Sequence, residues 1–436
     1  MASRVAYPAP AERPTRVRYW VVVFALTLAV ITYLDRVCIS FAAPFITKDL
    51  GLSSVQMGWT FTAFGWAYAL CEIPGGFLGD WIGPRRVLMR IVVWWSFFTA
   101  ATGWAWSFPS LAATRFLFGM GEAGCFPNLT KAFTTWLPKR ERVRAQGVMW
   151  MSARWGGAFT PLLVAWVMTM VGWRHSFEIF GGVGLVWAVL FFSWYRDDPL
   201  RNPKLNAAER DLLRDSSKLA TGHGDVPWGK LLVSPQVWLL CWQYFFCSYG
   251  WYFYVTWLPT YLRDARHLAL NSSALLGVLP LFCGGLGNPA GVLAGSFLVK
   301  LTGDIARTRR TLGYVGFGGA CVFLLVSTRA GDPLVAMLSI GLASFCNDLV
   351  MPGSWGAVMD VGGAHAGTVA GAMNMWGNIG GAIGPLVVGY ILHWTNNNWN
   401  LTFYVSAALY LMGAVCWAFL DPVTPLEKEP VPARTA

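Results

Sequence analysis

Charge is what this chain has least of. Of 436 residues, 13% are Asp, Glu, Lys or Arg, against roughly 25% in soluble domains, which argues against a domain that folds in water under a charged shell. The usual signatures of site chemistry are missing as well. Nine cysteines include no CxxC pair and no metal-ligand spacing, five histidines include no HExxH, and no GxxxxGK(S/T) phosphate loop occurs. No nucleophile-and-base cluster emerges, so an enzyme is the weakest class. No cofactor is expected. Cysteines such as Cys38, Cys71, Cys125, Cys241 and Cys247 fit as small core residues.

What is present is apolar sequence in long runs. Hydrophobic residues make up 55% of the chain, and runs of roughly 17–25 residues, enough to span a bilayer, recur from end to end. They fall near residues 19–46, 54–79, 87–106, 108–137, 143–171, 176–195, 236–262, 272–300, 309–328, 333–358, 365–393 and 400–420. This predicts an all-α integral membrane protein of twelve transmembrane helices. The net charge of +11 would suit nucleic acid, but the basic residues sit in short loops between apolar runs. Arg4, Arg13, Arg16 and Arg18 precede the first run; Arg85, Arg86 and Arg90 follow the second. Lys139, Arg140, Arg142 and Arg144 follow the fourth, and Arg307, Arg309 and Arg310 the eighth. The intervening loops carry little net charge. By the positive-inside rule both termini are cytoplasmic, and the expected partner is a lipid bilayer and not nucleic acid. A monomer is expected. The first run is too long for a signal-peptide core and reads as a retained helix.

The longest polar segment, residues 196–234, divides the runs six and six. The predicted organisation is an N-terminal tail (1–18), a six-helix bundle (19–195), a cytoplasmic linker (196–235), a second six-helix bundle (236–420) and a C-terminal tail (421–436). In the linker, DDP reads as a turn, LNAAERDLLRDSSKL as a short surface helix and TGHGD as loose chain. The halves repeat: GGAFTP at 156–161 is echoed by GGAIGP at 380–385, and VGWRHSFEIF by NNWNLTFYVS, in matching places. Two matches in order argue for duplicated units with a substrate site between them.

Within the apolar runs a few charges remain. A charge at the bilayer centre costs roughly 2.5–3.5 kcal/mol, so it is kept only where it faces a partner or a wet cavity. Residues 115–128, RFLFGMGEAGCFPN, set Arg115 and Glu122 seven apart, nearly two helical turns, on one face. A structural ion pair pinning two helices is the bland alternative to a transport role. Asp35 and Arg36 lie side by side in the first run and diverge by 100°, so each needs its own partner. Tyr68 and Glu72 share a face; Glu72 is either a further proton acceptor or a partner of nearby backbone at the PGG kink. Arg154 in the fifth run either faces the cavity, where its planar fork suits a carboxylate, or pairs with Asp348 or another buried acid and does not touch substrate. Asp348 and Trp355 are again seven apart, in the helix duplicating the fourth; Trp355 is read as a substrate floor and Asp348 is left open. Asn374 and Asn378 share a face and need hydrogen-bond partners, on another helix or a polar ligand. The aromatic seventh run is mostly packing, with Tyr249 and Tyr252 as candidates to reach the cavity.

The segment GGFLGDWIGPRR, with Gly76, Asp80, Gly83, Arg85 and Arg86, resembles the loop signature of the major facilitator superfamily. The resemblance implies that Asp80 and the basic residues form a cytoplasmic gate with neighbouring helix ends. The usual basic residue after the aspartate is Trp81 here, a departure that predicts a weaker latch. A closer resemblance, carried by YLDR at 33–36, AYALCEIPGG at 67–76, residues 115–128, TWLP at 256–259 and GTVAGAMNMWGN at 367–378, is to the anion:cation symporter family, including hexuronate, glucarate and galactonate carriers and sialin. It implies that Asp35 and Glu122 take up protons, Arg115 couples them, and Arg36 and Tyr68 line the substrate path. The carriers of that family have a glutamine near the position of Arg154.

The sequence thus predicts a secondary transporter importing a small organic anion, a sugar acid or another carboxylate, by proton symport with alternating access. Arg36, Tyr68, Arg154, Trp355, Asn374 and Asn378 are the expected substrate-binding residues. A proton-coupled exporter of amphiphilic compounds and a transport-like sensor of sugar acids are the rival readings.

Overall fold

The computed structural model describes residues 13–217, 226, 228–266 and 270–426. Sixteen α-helices occur among them: α1 (Trp20–Leu50), α2 (Ser54–Ile82), α3 (Pro84–Gly103), α4 (Phe108–Glu122), α5 (Cys125–Trp136), α6 (Lys139–Trp194), α7 (Ala207–Ser217), α8 (Trp228–Val233), α9 (Pro235–Thr256), α10 (Leu258–Asp264), α11 (Leu270–Thr302), α12 (Ile305–Arg329), α13 (Pro333–Leu349), α14 (Met351–Gly362), α15 (Ala366–Trp394) and α16 (Trp399–Phe419). Their starts follow local chemistry. Ser53 and Gln56 form a capping box, Asp304 and Asn398 accept the first free backbone N–H groups of α12 and α16, and Pro84, Pro235 and Pro333 occupy first-turn positions.

The twelve expected crossings are present once three broken helices are counted as pairs. α4 and α5 make one crossing, as do α13 and α14 and as do α9 and α10, whereas α6 makes two. By length and composition alone, six stretches among the described residues are apolar enough to cross a membrane: Val17–Ser40, Trp166–Trp194, Leu276–Thr302, Ile305–Arg329, Pro333–Trp394 and Trp399–Phe419. Buried charge and abundant Gly, Trp and Tyr lower the hydropathy of the others.

The fourth run was expected as one helix to residue 137, and it breaks instead just after Glu122. Ala123 leaves helical geometry and Gly124 adopts φ 82°, where the backbones of Gly124 and Gly75 meet so closely that a Cβ on Gly75 would lie 2.7 Å from the Gly124 Cα. The second half repeats the device more gently at Val350, between α13 and α14. In α6 the break falls at Gly172 (φ 76°, ψ 169°), between the fifth and sixth runs. Arg174 secures that turn, donating to the Gly103 and Ala105 carbonyls at 2.8 Å each and pairing with Asp49 at 2.9 Å.

Within the first half α1 and α3 pack on α6 and α2 on α4; within the second, α11 packs on α13, α9 on α15, and α12 on α13 and α16. The halves meet where α2 packs on α15 and the first part of α6 on α11, contacts that the sixfold helix repeat exchanges. The repeated glycine pairs explain the sequence echo: Gly156 and Gly157 face Val30 and Tyr33 of α1, and Gly380 and Gly381 face Phe245 and Tyr252 of α9.

The linker helix forms as expected at α7 and is docked on the bundle. Glu209 on α7 is buried and takes Arg18 at 2.8 Å, while Ser216 donates to the Leu137 carbonyl at 3.0 Å. The TGHGD piece and both distal tails, residues 1–12 and 427–436, lie outside the described residues.

Replacing Gly172 by alanine tests backbone strain alone, since nothing lies within 4 Å of the added carbon; a cost of about 1–3 kcal/mol is expected. Gly124→Ala adds a collision with the Gly75 backbone to its own strain and is expected to cost more, read as a larger fall in the thermal unfolding midpoint in detergent.

Candidate functional site

Both residues of the Asp35–Arg36 step are charged, and they diverge as the 100° rotation requires. Arg36 turns to the space between the halves, where its guanidinium pairs with the Glu122 carboxylate from the end of α4. The Tyr68 ring lies 4.3 Å from the guanidinium carbon and the Phe64 ring 5.4 Å away, so aromatic faces supply attraction that water would give elsewhere. Asp35 turns the other way and is fully buried, with no hydrogen bond to either oxygen among the described residues. Arg115 is nearly as buried, rests 4.1 Å from the Phe118 ring and leaves Nε and Nη1 unbonded. Arg115 and Glu122 therefore do share the inward face, but Glu122 pairs with Arg36 of another helix. The second Glu122 oxygen has no hydrogen bond among the described residues.

Two further polar links cross between the halves. Asn374 on α15 donates to Glu72 Oε1 at 2.8 Å and to the Tyr68 hydroxyl at 3.3 Å; the other Glu72 oxygen accepts the Gly124 N–H at 3.3 Å. Glu72 thus bonds backbone near the kink and spans the halves as well. Arg154 on α6 forms a two-pronged pair with Asp348 on α13, at 2.7 and 3.0 Å. Asn347 and Asn288 add donors to the same carboxylate at 3.1 and 3.5 Å. Of the two alternatives open for Arg154, pairing with Asp348 is realised, while the side chain also lines the central cavity and covers the Trp251 ring at 4.2 Å.

That cavity has Arg36, Tyr68, Arg154, Asn374 and Asn378 in its wall, with Tyr33, Trp150, Tyr244, Trp251 and Tyr252 around them. At about 40 Å³ it is far below the roughly 300–1,000 Å³ of ligand pockets, so the described conformation is contracted about it. Asn378 receives the Tyr252 hydroxyl at 3.2 Å. Trp355, expected as a floor, lies one layer back: it is fully buried against Trp150 and Tyr244, with ring centroids 5.2 and 5.8 Å away. Tyr249 is likewise buried outside the cavity wall, against Gly384. The aromatics that sequence reasoning missed carried a signal in their spacing. Tyr33 is three residues before Arg36, Trp150 four before Arg154, and Tyr244 seven before Trp251, each pair on one helical face.

At the end of the bundle that carries both termini, the halves are clamped. The Asp80 carboxylate accepts from Gly367 N at 3.1 Å, Thr368 N at 2.6 Å and the Thr368 hydroxyl at 2.7 Å, which seats an anion on the positive N-terminus of α15. Buried Lys131 lies 3.1 Å from Asp80 and donates to the Ala364 carbonyl. The cation missing at Trp81 is therefore supplied from α5, and Trp81 stacks on Phe77 instead. Gly76 abuts Gly367: a Cβ there would stand 2.2 Å from its carbonyl oxygen. The expected gate basics do not reach Asp80. Arg85 donates to the Phe192 carbonyl at 2.7 Å with its backbone N–H on Asp197 at 2.8 Å, Gly83 packs beside the same Asp197, and Arg86 is exposed.

A family model for the Major Facilitator Superfamily matches residues 25–385. The chain belongs to that superfamily and is a multi-pass membrane transporter, not an enzyme. Its relatives agree with the anion:cation symporter branch that the motifs resemble. It is similar to a probable sulfoacetate transporter of Cupriavidus necator (36% identity, covering 90% of this chain and 91% of that protein). It also resembles the hexuronate transporter of Bacillus subtilis (32%, 86% and 88%) and the D-galactonate transporter of Escherichia coli (30%, 95% and 97%). Among solved structures, the proton:xylose symporter XylE superposes with a TM-score of 0.76 at 13% identity, covering 94% of this chain and 98% of that one. The human organic anion transporter MFSD10 gives 0.69 at 17%, covering 93% and 100%. At these identities the two structures share the fold.

Removing one member of a buried pair strands the other, at a typical cost of about 3–5 kcal/mol. Arg154→Gln and Asp348→Asn are each expected to lower stability in detergent, and the double variant to lose less than their sum. Strict additivity in that double-mutant cycle would show that the pair is not coupled.

Proposed function

We propose that this protein imports a small organic anion bearing a carboxylate in symport with protons, by alternating access across a bacterial inner membrane, with both termini in the cytoplasm. The observation that carries this reading is the ion pair between Arg36, which lines the cavity between the halves, and the buried Glu122 behind it. An incoming carboxylate competes with Glu122 for the Arg36 fork, and a proton on Glu122 releases Arg36 to receive it. Asp35, beside Arg36 in sequence and without a hydrogen bond among the described residues, is the second proton carrier, and Arg115 holds a positive charge near both. Tyr68, Asn374 and Asn378 orient the rest of the substrate, while Arg154 adds a cation already balanced by Asp348. The relatives' names, which span sulfoacetate, hexuronate and galactonate, support an organic anion and leave its skeleton to experiment.

Coupling is energetically reasonable. Each proton offsets one negative charge moving against an inside-negative potential, worth roughly 2.3 kcal/mol per 100 mV. The aromatic wall of Tyr33, Trp150, Tyr244, Trp251 and Tyr252 favours one rival, export of an amphiphilic compound, and the direction of pumping decides between them.

The test is uptake of labelled organic acids into liposomes driven by a proton gradient. Wild type is expected to accumulate at least one acid, Arg36→Ala to lose uptake and exchange together, and Glu122→Gln to exchange substrate without concentrating it. No accumulation of any acid, or wild-type behaviour of both variants, would leave the charges structural.

A further inference from the structure

Outside the central cavity, a groove opens along the seam of the halves at the end that carries the termini. Its mouth is set by Lys139, Arg140 and Arg144 at the start of α6 and by Lys300 at the end of α11. Among the described residues Lys139, Arg144 and Lys300 form no ion pair, and Arg140 is only 3.9 Å from Glu141. The one acid lining the groove, Asp360, is already held by Arg309 at 2.7 Å. The mouth is therefore net positive, with cations from both halves.

Behind the mouth the chemistry changes. Val143, Val292, Val299 and Leu312 line a hollow of about 460 Å³, with Gly291 and Gly295 of α11 in its wall; a Cβ at 295 would meet only Leu312. A second hollow of about 540 Å³ shares Arg144 and Lys300 with it and adds Leu293 and Phe297, which are 71% and 63% exposed on the outer, lipid-facing wall. From Lys300 back to Pro289 the helix rises about 16 Å at 1.5 Å per residue, close to one leaflet of a hydrocarbon core about 30 Å thick. A belt of loop cations that only sets topology needs no such apolar trough beneath it. A small hydrophilic anion would leave the trough unfilled.

We infer that this groove binds an anionic phospholipid, with its phosphate among Lys139, Arg144 and Lys300 and one acyl chain lying along the α6–α11 seam. Because α6 belongs to one half and α11 to the other, the lipid bridges them in the conformation that the Asp80 clamp closes.

The test uses the full chain in detergent, equilibrated with equal amounts of phosphatidylglycerol and phosphatidylcholine, and counts retained lipid by native mass spectrometry. Wild type is expected to retain phosphatidylglycerol in preference. Arg144→Gln with Lys300→Gln removes two cations, each worth roughly a factor of five near an anionic headgroup, so retention should fall by about 25-fold. Gly295→Leu fills the trough without altering charge and should lower retention too. Lys204→Gln with Arg210→Gln, two exposed cations elsewhere, should retain lipid as wild type does, with all proteins eluting as a single species. Equal retention of the two lipids by wild type would overturn the inference, as would undiminished retention by both groove variants. Displacement by glycerol phosphate as effective as by excess phosphatidylglycerol would make the site one for a free phosphate ester and overturn it also.

Discussion

A charge placed in a hydrocarbon layer must be answered by another group on the protein, and the interior of this bundle is arranged around that requirement. The first half contributes Arg36, Arg115 and Arg154 to its interior; Glu122 answers the first, aromatic rings cradle the second, and Asp348 of the other half answers the third. The distribution is unequal on purpose-like grounds of chemistry: Arg154–Asp348 is saturated by two asparagines, whereas Asp35, Arg115 and the second oxygen of Glu122 keep unused hydrogen-bonding capacity. The saturated pair holds a fixed geometry. The unsaturated group is where an added proton or an added carboxylate changes the balance most, because each supplies a partner that is otherwise lacking.

The same economy governs how the halves touch. At the termini end the contact is made by backbone, Gly76 on Gly367, and by one carboxylate on a helix N-terminus. Such a contact is short and polar. Toward the middle the links are side-chain hydrogen bonds, Asn374 to Glu72 and Tyr68, so a ligand in the cavity lies within reach of residues from both bundles. Tyr68 links the two regions: its ring lies under the Arg36 guanidinium and its hydroxyl accepts from Asn374 of the other half.

Much of this was legible in the sequence, for reasons that particular residues make plain. Length and hydropathy give the crossings, the glycine echoes give the duplication, and isolated charges in apolar runs announce that they face inward. Partner choice was not legible. The seven-residue spacing put Arg115 and Glu122 on one face, but whether Glu122 meets Arg115 or Arg36 depends on how α1 lies against α4. The break at Gly124 depends in turn on Gly75 of a different helix. Lys131 was overlooked because a lone lysine near a helix end reads as a snorkelling surface residue; its burial against Asp80 is a product of tertiary packing. Trp355 was placed one layer too far forward, since periodicity identifies a face and says nothing about depth.

The central claim is that substrate and proton share the Arg36–Glu122 pair. Its most direct test is the number of protons taken up when substrate binds to the purified protein in weakly buffered detergent solution, followed with a pH-indicator dye. The account predicts net proton uptake by wild type on binding and a smaller uptake by Glu122→Gln at comparable substrate occupancy. Binding without any proton uptake in wild type, or an undiminished uptake in Glu122→Gln, would contradict it.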